Sequence, residues 1–153
     1  MEWIDIRHEL PWLGRETIHL VNDAAQAALT QALVDIGFKI IALDGSTASD
    51  KGKFFDELRR AFDFPAYFGH NWDAFHDSFS DLAYAKERRL AILWLHASTT
   101  LEQNLGLLLK GVHEFLVGAS YLGRVVEPGD DSVQVELFLL GNSAAFDRKP
   151  PDL

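Results

Sequence analysis

Apolar residues recur along this chain in two rhythms, and the alternation between them predicts its architecture. From Asn22 to Gly37, Ala24, Ala25, Ala28, Leu29, Ala32, Leu33 and Ile36 fall at helical spacing, so the pattern predicts a helix capped by Asn22 and ended by Gly37. Phe38 to Leu43 (FKIIAL) is a short continuous apolar run stopped by Asp44 and Gly45, the pattern of a strand buried on both faces. Ser49 or Asp50 can cap the next helix, whose stripe of Phe54, Phe55, Leu58, Ala61 and Phe62 stops before Pro65. Leu90 to Leu95 (LAILWL) reads as a second buried strand. Leu101, Leu105, Leu108, Val112, Phe115 and Leu116 trace one long helix, and Val133 to Leu140 (VQVELFLL) is a strand after the turn residues Pro128, Gly129, Asp130 and Asp131.

Strands separated by helical patterns imply parallel crossovers, so the expected class is α/β with a small parallel sheet of three strands flanked by helices. Thr17 to Val21 could add a fourth strand from the N-terminal stretch. The tail DRKPPDL, rich in proline and charge, is expected to be poorly ordered.

A chain of 153 residues with 48% hydrophobic residues suits one domain with a sizeable core. No apolar run is expected to span a bilayer, and MEWIDIRHEL lacks the basic-then-apolar order of a signal peptide, so a soluble, cytoplasmic protein with no membrane partner is expected. The absence of Cys excludes disulfides and thiol chemistry. Fourteen basic against 23 acidic residues give a formal charge of −9. Such a field repels phosphate backbones and attracts basic surfaces, which disfavours direct nucleic-acid binding.

Where the acids sit is more informative than their number. In FDFPAYFGHNWDAFHDSFSDL, Asn71 is a good N-cap for a helix from Trp72 to about Leu82. Trp72, Phe75, Phe79 and Leu82 form its apolar stripe. Asp73, Asp77 and Asp81, four residues apart, project together from another face. A solvated acidic face is one reading, and Asp73 in the first turn fits it through the helix dipole. A binding face is the other: like charges at i and i+4 cost about 0.2–0.5 kcal/mol per pair, and aspartate near a helix C-terminus opposes the dipole. Before the helix, Pro65 stiffens the approach, Gly69 lets the backbone turn, Phe68 suits the core and Tyr67 suits a partly exposed anchor.

The run of Pro65, Tyr67, Phe68, Gly69, Asn71, Trp72, Asp73, Ala74, Phe75 and Asp77, preceded by a strand ending in LDG and a short helix, resembles the signature of the barstar family, intracellular protein inhibitors of secreted microbial ribonucleases. The resemblance extends over about Phe38 to Asn142. It divides the chain into an N-terminal extension (1–37) packed on the sheet, a barstar-like domain (38–142) and a flexible tail (143–153). It implies no catalytic residue, cofactor or metal, and a partner that is a basic protein, either a secreted-type ribonuclease or a ribonuclease toxin. Its carboxylates would then take the place of substrate phosphate in a basic cleft. By that resemblance Asp77 enters the phosphate site, Asp73 adds a second charged pair, Asn71 caps the helix and reaches the rim, and Tyr67 packs on the partner. Trp72, His76, Ser80 and Asp81 complete the expected partner-binding set. His76 stands where the best-known member has a large aromatic, and Phe68 where it has a tyrosine. Independently of the resemblance, Glu127, Asp130 and Asp131 after the last helix would widen the negative surface, though no motif ties them to the interface.

The same residues also suit other classes of function. His70, Asp73 and Asp77 offer a nitrogen and two carboxylates to a cation, with His76 nearby, but His70 precedes the N-cap and no second cluster supports them. Ser78 and Ser80 adjoin His76 in sequence without an oxyanion motif. The main alternative is a barstar-fold interaction module that binds a basic protein other than a nuclease.

Overall fold

The computed structural model describes residues 2–124 and 131–153. The elements β1 (Ile18–Asn22), β2 (Lys39–Asp44), β3 (Arg89–Leu95) and β4 (Gln134–Gly141) form one sheet in the order β1-β4-β3-β2. All three pairings are parallel, with Ile18 beside Leu137, Ile92 beside Leu137 and Leu43 beside Trp94. The N-terminal stretch therefore supplies a fourth strand at one edge, and the sheet is a four-stranded version of the expected parallel one.

Alternation along the two central strands assigns a layer of helices to each face. Ile92, Trp94, Leu137 and Leu139 face a core that also holds Phe54, Phe55 and Phe62 of α3 (Lys51–Phe62), Phe75 and Phe79 of α4 (Trp72–Ser80), and Leu107, Leu108 and Phe115 of α6 (Leu105–Leu122). Ala91, Leu93, Phe138 and Leu140 face the other way, onto Ile6 of α1 (Ile6–Glu9) and Leu29 and Leu33 of α2 (Gln26–Asp35).

Local chemistry sets the helix limits, and several differ from expectation. Asn22 does cap, its side chain accepting from Ala24, but it opens a 3₁₀ turn over Asp23–Ala25 and the α-helix begins only at Gln26. Asp50 caps α3, and Asp63, in the left-handed conformation (φ 54°), ends it. The stretch expected as one long helix is two, α5 (Ala97–Gln103) and α6. They break at Asn104, which leaves the helical conformation (φ −155°, ψ 76°) and turns its side chain to accept from the Leu107 N–H, capping α6. α6 is also, by length and composition, apolar enough to cross a membrane, at a mean hydropathy of 1.2, contrary to the expectation that no such run exists. Here one of its faces packs in the core, with Leu107, Leu108, Gly111, Phe115, Gly118 and Leu122 buried, while Leu105, Leu109, Val117 and Tyr121 stay exposed.

Beyond the strands' C-terminal ends, a buried hydrogen-bond chain fastens three segments together. The Trp94 indole N–H donates to Thr100 Oγ1 (3.1 Å), which donates to the Gly45 carbonyl (2.8 Å). The tail runs beside β1: the Asn22 N–H donates to the Arg148 carbonyl (2.9 Å) and the Arg148 N–H to the Leu20 carbonyl (3.2 Å). Phe146 is buried, and Arg148 Nη2 donates to Glu16 Oε1 at 2.7 Å.

Two outcomes follow. Thr100→Val leaves the buried indole N–H without an acceptor and should cost about 1–3 kcal/mol in urea unfolding. The Arg148 guanidinium, chiefly through its hydrogen bond, holds the Glu16 carboxyl below its usual range. That tether is present at neutral pH and lost as pH falls through the depressed pKa. Hydrogen exchange at Asn22, corrected for intrinsic rates, should accelerate on acidification in the wild type, and Glu16→Gln should remove the acid dependence.

Candidate protein-binding site

Nine residues of helix, Trp72–Ser80, are too few to hold together alone in water. Asn71 opens α4 in extended conformation (φ −148°, ψ 164°), its side chain accepting from the Ala74 N–H at 2.8 Å. Asp73 sits in the first turn, where the dipole favours it. The buried face carries the rest of the stability. Phe75 lies with ring centroids 5.4 Å from Phe115 and 5.2 Å from Phe79, and Phe79 lies 5.6 Å from Phe62. Before the helix, the Phe68 N–H closes a turn onto the Pro65 carbonyl, which buries Phe68 against Phe64 and leaves Tyr67 88% exposed.

Of the residues singled out in the sequence, Tyr67, Asn71, Asp73, His76, Asp77 and Asp81 are exposed. Trp72 and Ser80 are half-buried: the indole packs 4.9 Å from Phe55, and the serine hydroxyl donates to the His76 carbonyl. α4 ends at Ser80, short of the expected Leu82, and Asp81–Tyr84 form a 3₁₀ turn. The Asp81 N–H still bonds to the Asp77 carbonyl, so the step from Asp77 to Asp81 keeps its helical geometry and the column survives the earlier stop.

A minority of the acids elsewhere have a basic side chain within ion-pairing distance. Glu57 pairs with Arg60, Asp56 with His70 at 2.8 Å, Glu114 with Lys110 and Glu16 with Arg148. Among the described residues, no cation lies within ion-pairing distance of Asp73, Asp77 or Asp81. The bond to Asp56 also commits the His70 imidazole away from the column, and among the described residues no group of three His, Asp or Glu is arranged to hold a metal ion. Glu127 and Asp130 lie outside the described residues.

Two exposed aromatics escaped the sequence reading. Tyr84 is 89% exposed and follows Asp81 by three residues, one full turn of 3₁₀ helix, which places it over Asp81. That signal was present once the turn type was known. Tyr121 of α6 is 47% exposed, with its ring centroid 6.4 Å from that of His76. Nothing near α4 in sequence announces it.

The fold and this face define a class: a parallel α/β domain whose short acidic helix presents exposed carboxylates beside exposed aromatics. Residues 38–120 match the profile of the family described as Barstar (barnase inhibitor). The chain belongs to the barstar family. No curated protein sequence matches it at a significant level.

Phe75→Ala should lose about 3–5 kcal/mol of folding stability by opening a cavity in the aromatic core. Asp77→Ala should leave the urea midpoint unchanged or slightly higher, because it removes a like-charge neighbour of Asp73 and Asp81. Unfolding of the Asp77 variant would make the column a structural feature.

Proposed function

We propose that this protein inhibits a ribonuclease by inserting the acidic face of α4 into a basic active-site cleft. The observation that carries the reading is the column of Asp73, Asp77 and Asp81, exposed and without cations of its own among the described residues, on a helix fixed from behind by buried aromatics. A helix backbone fixed before binding loses little further entropy when it meets a partner. Asp77, central in the column, takes the place of a substrate phosphate and accepts charge-assisted hydrogen bonds from Arg, Lys or His of the nuclease. Asp73 supplies a second pair, and Tyr67 covers the rim on one side.

Membership of a family described as barnase inhibitors supports this reading. A net charge of −9 supports it too, since a field of that sign steers a basic partner toward the face. The protein acts as a stoichiometric binder without chemistry of its own, in the cytoplasm, on a secreted-type or toxin ribonuclease that would otherwise cleave RNA there.

The test is direct titration against barnase and a panel of basic microbial ribonucleases, reading RNA cleavage and dissociation together. Inhibition should reach completion near one equivalent for at least one of them. Asp77→Ala should weaken that complex by about 2–5 kcal/mol, mostly through faster dissociation, a scale drawn from complexes of which the barnase–barstar pair is itself the type case. Association with the wild type should slow steeply as salt is raised. Binding through this face without loss of cleavage would make the protein an interaction module for basic proteins. Absence of binding across the panel would overturn the inhibitor reading.

A further inference from the structure

We infer that the groove between α4 and α6 is a specificity pocket of the same binding face, shaped for an apolar side chain that borders the partner's cation cluster and lies next to an acidic group. The inference rests on the inhibitor reading and identifies chemistry that the acidic column does not supply.

The two helices are packed closely enough to make one surface. A Cβ added at Gly118 of α6 would collide with the ring of Phe79, and one at Gly111 would fall 3.7 Å from Trp72. Close packing along their inner faces brings their outer edges side by side. Between those edges lies a groove of about 440 Å³ lined by His76, Leu116, Val117, Ser120, Tyr121 and Arg124. His76 stands three residues after Asp73 in α4, where i and i+3 side chains are neighbours, so the groove borders the acidic column.

Part of its wall is apolar and open to solvent, Val117 being 41% and Tyr121 47% exposed with Leu116 beside them, and His76, Ser120 and Arg124 supply the polar part. Exposed apolar surface beside a charged hot spot is what a partner's aliphatic or aromatic side chain covers, and tyrosine is enriched in such places. Charge refines the occupant further. Arg124 forms no ion pair with any described residue. A cation at the edge of an acidic face opposes a uniformly basic partner and favours one that sets a carboxylate at that point. The surface thus demands a partner with cations opposite Asp73 and Asp77, an apolar side chain opposite Val117 and Tyr121, and an acid opposite Arg124.

The experiment uses the full-length chain and any ribonuclease from the panel that it inhibits. Val117→Ser and Tyr121→Ala should each raise Kd about tenfold or more, through the off-rate, while Tyr121→Phe keeps its affinity and circular dichroism stays native. Arg124→Glu makes the chain more negative and separates two mechanisms by sign. Uniform attraction to a basic partner predicts tighter binding, whereas the pocket predicts weaker binding. If Asp77→Ala abolishes binding but the Val117 and Tyr121 variants bind like wild type, the pocket inference is overturned and the inhibitor reading stands. An Arg124→Glu variant that binds more tightly also overturns it. If no ribonuclease in the panel binds the wild type, both fail together.

Discussion

Everything the acidic helix can do depends on the burial of two phenylalanines behind it. Stacked carboxylates weaken a short helix, each pair by a few tenths of a kcal/mol, whereas a buried phenyl ring contributes several times as much. Phe75 and Phe79 settle that contest because the core beneath them, Phe62, Phe115 and Trp94, is itself built on the central strands. The sheet thereby holds in place a surface that its own charges would loosen. A face of this kind is held in shape in advance, and on the proposed inhibitor reading a cationic partner would relieve the repulsion as it bound.

The division of labour across the sheet explains how a self-repelling acidic helix coexists with a stable fold. Helices α3, α4 and α6 cover the sheet face behind the acidic column, and α1 and α2 cover the opposite one. β1 joins at β4 and α2 seals the far face, while Trp3 crosses to the other layer, where a Cβ added at Gly123 just after α6 would lie 3.3 Å from its ring. α6 serves both sides of its own layer. Gly111 and Gly118 let Trp94 and Phe79 approach its inner face, while Val117 and Tyr121 remain on its outer one. Its high apolar content reflects those two surfaces.

Much of this was legible in the sequence because it follows from local periodicity. The runs FKIIAL and LAILWL lie within a residue of β2 and β3, and the Asn71 cap and the Phe75 and Phe79 stripe follow from spacing alone. What escaped depends on competition between local signals or on contacts far apart in sequence. Leu101 to Leu116 keeps helical spacing across Asn104, so periodicity could not show that the asparagine side chain would prefer the Leu107 N–H to a continued helix. The end of α4 at Ser80 is a choice between α and 3₁₀ geometry in residues that suit both. The proximity of Tyr121 to His76 arises only when α6 packs on α4, and that 45-residue separation leaves no local trace.

The pairing of the tail with β1 bears on how such a sheet stays solitary. A parallel sheet open at its edge offers unpaired N–H and carbonyl groups to any extended segment, including another copy of the same strand. Arg148 occupies that edge through a single isolated bridge to Val21, and Pro150 and Pro151 follow at once. Proline carries no N–H to extend the pairing. The edge of β1 is thus blocked at Val21 by a segment whose prolines cannot extend the pairing, which guards the sheet against edge-to-edge association.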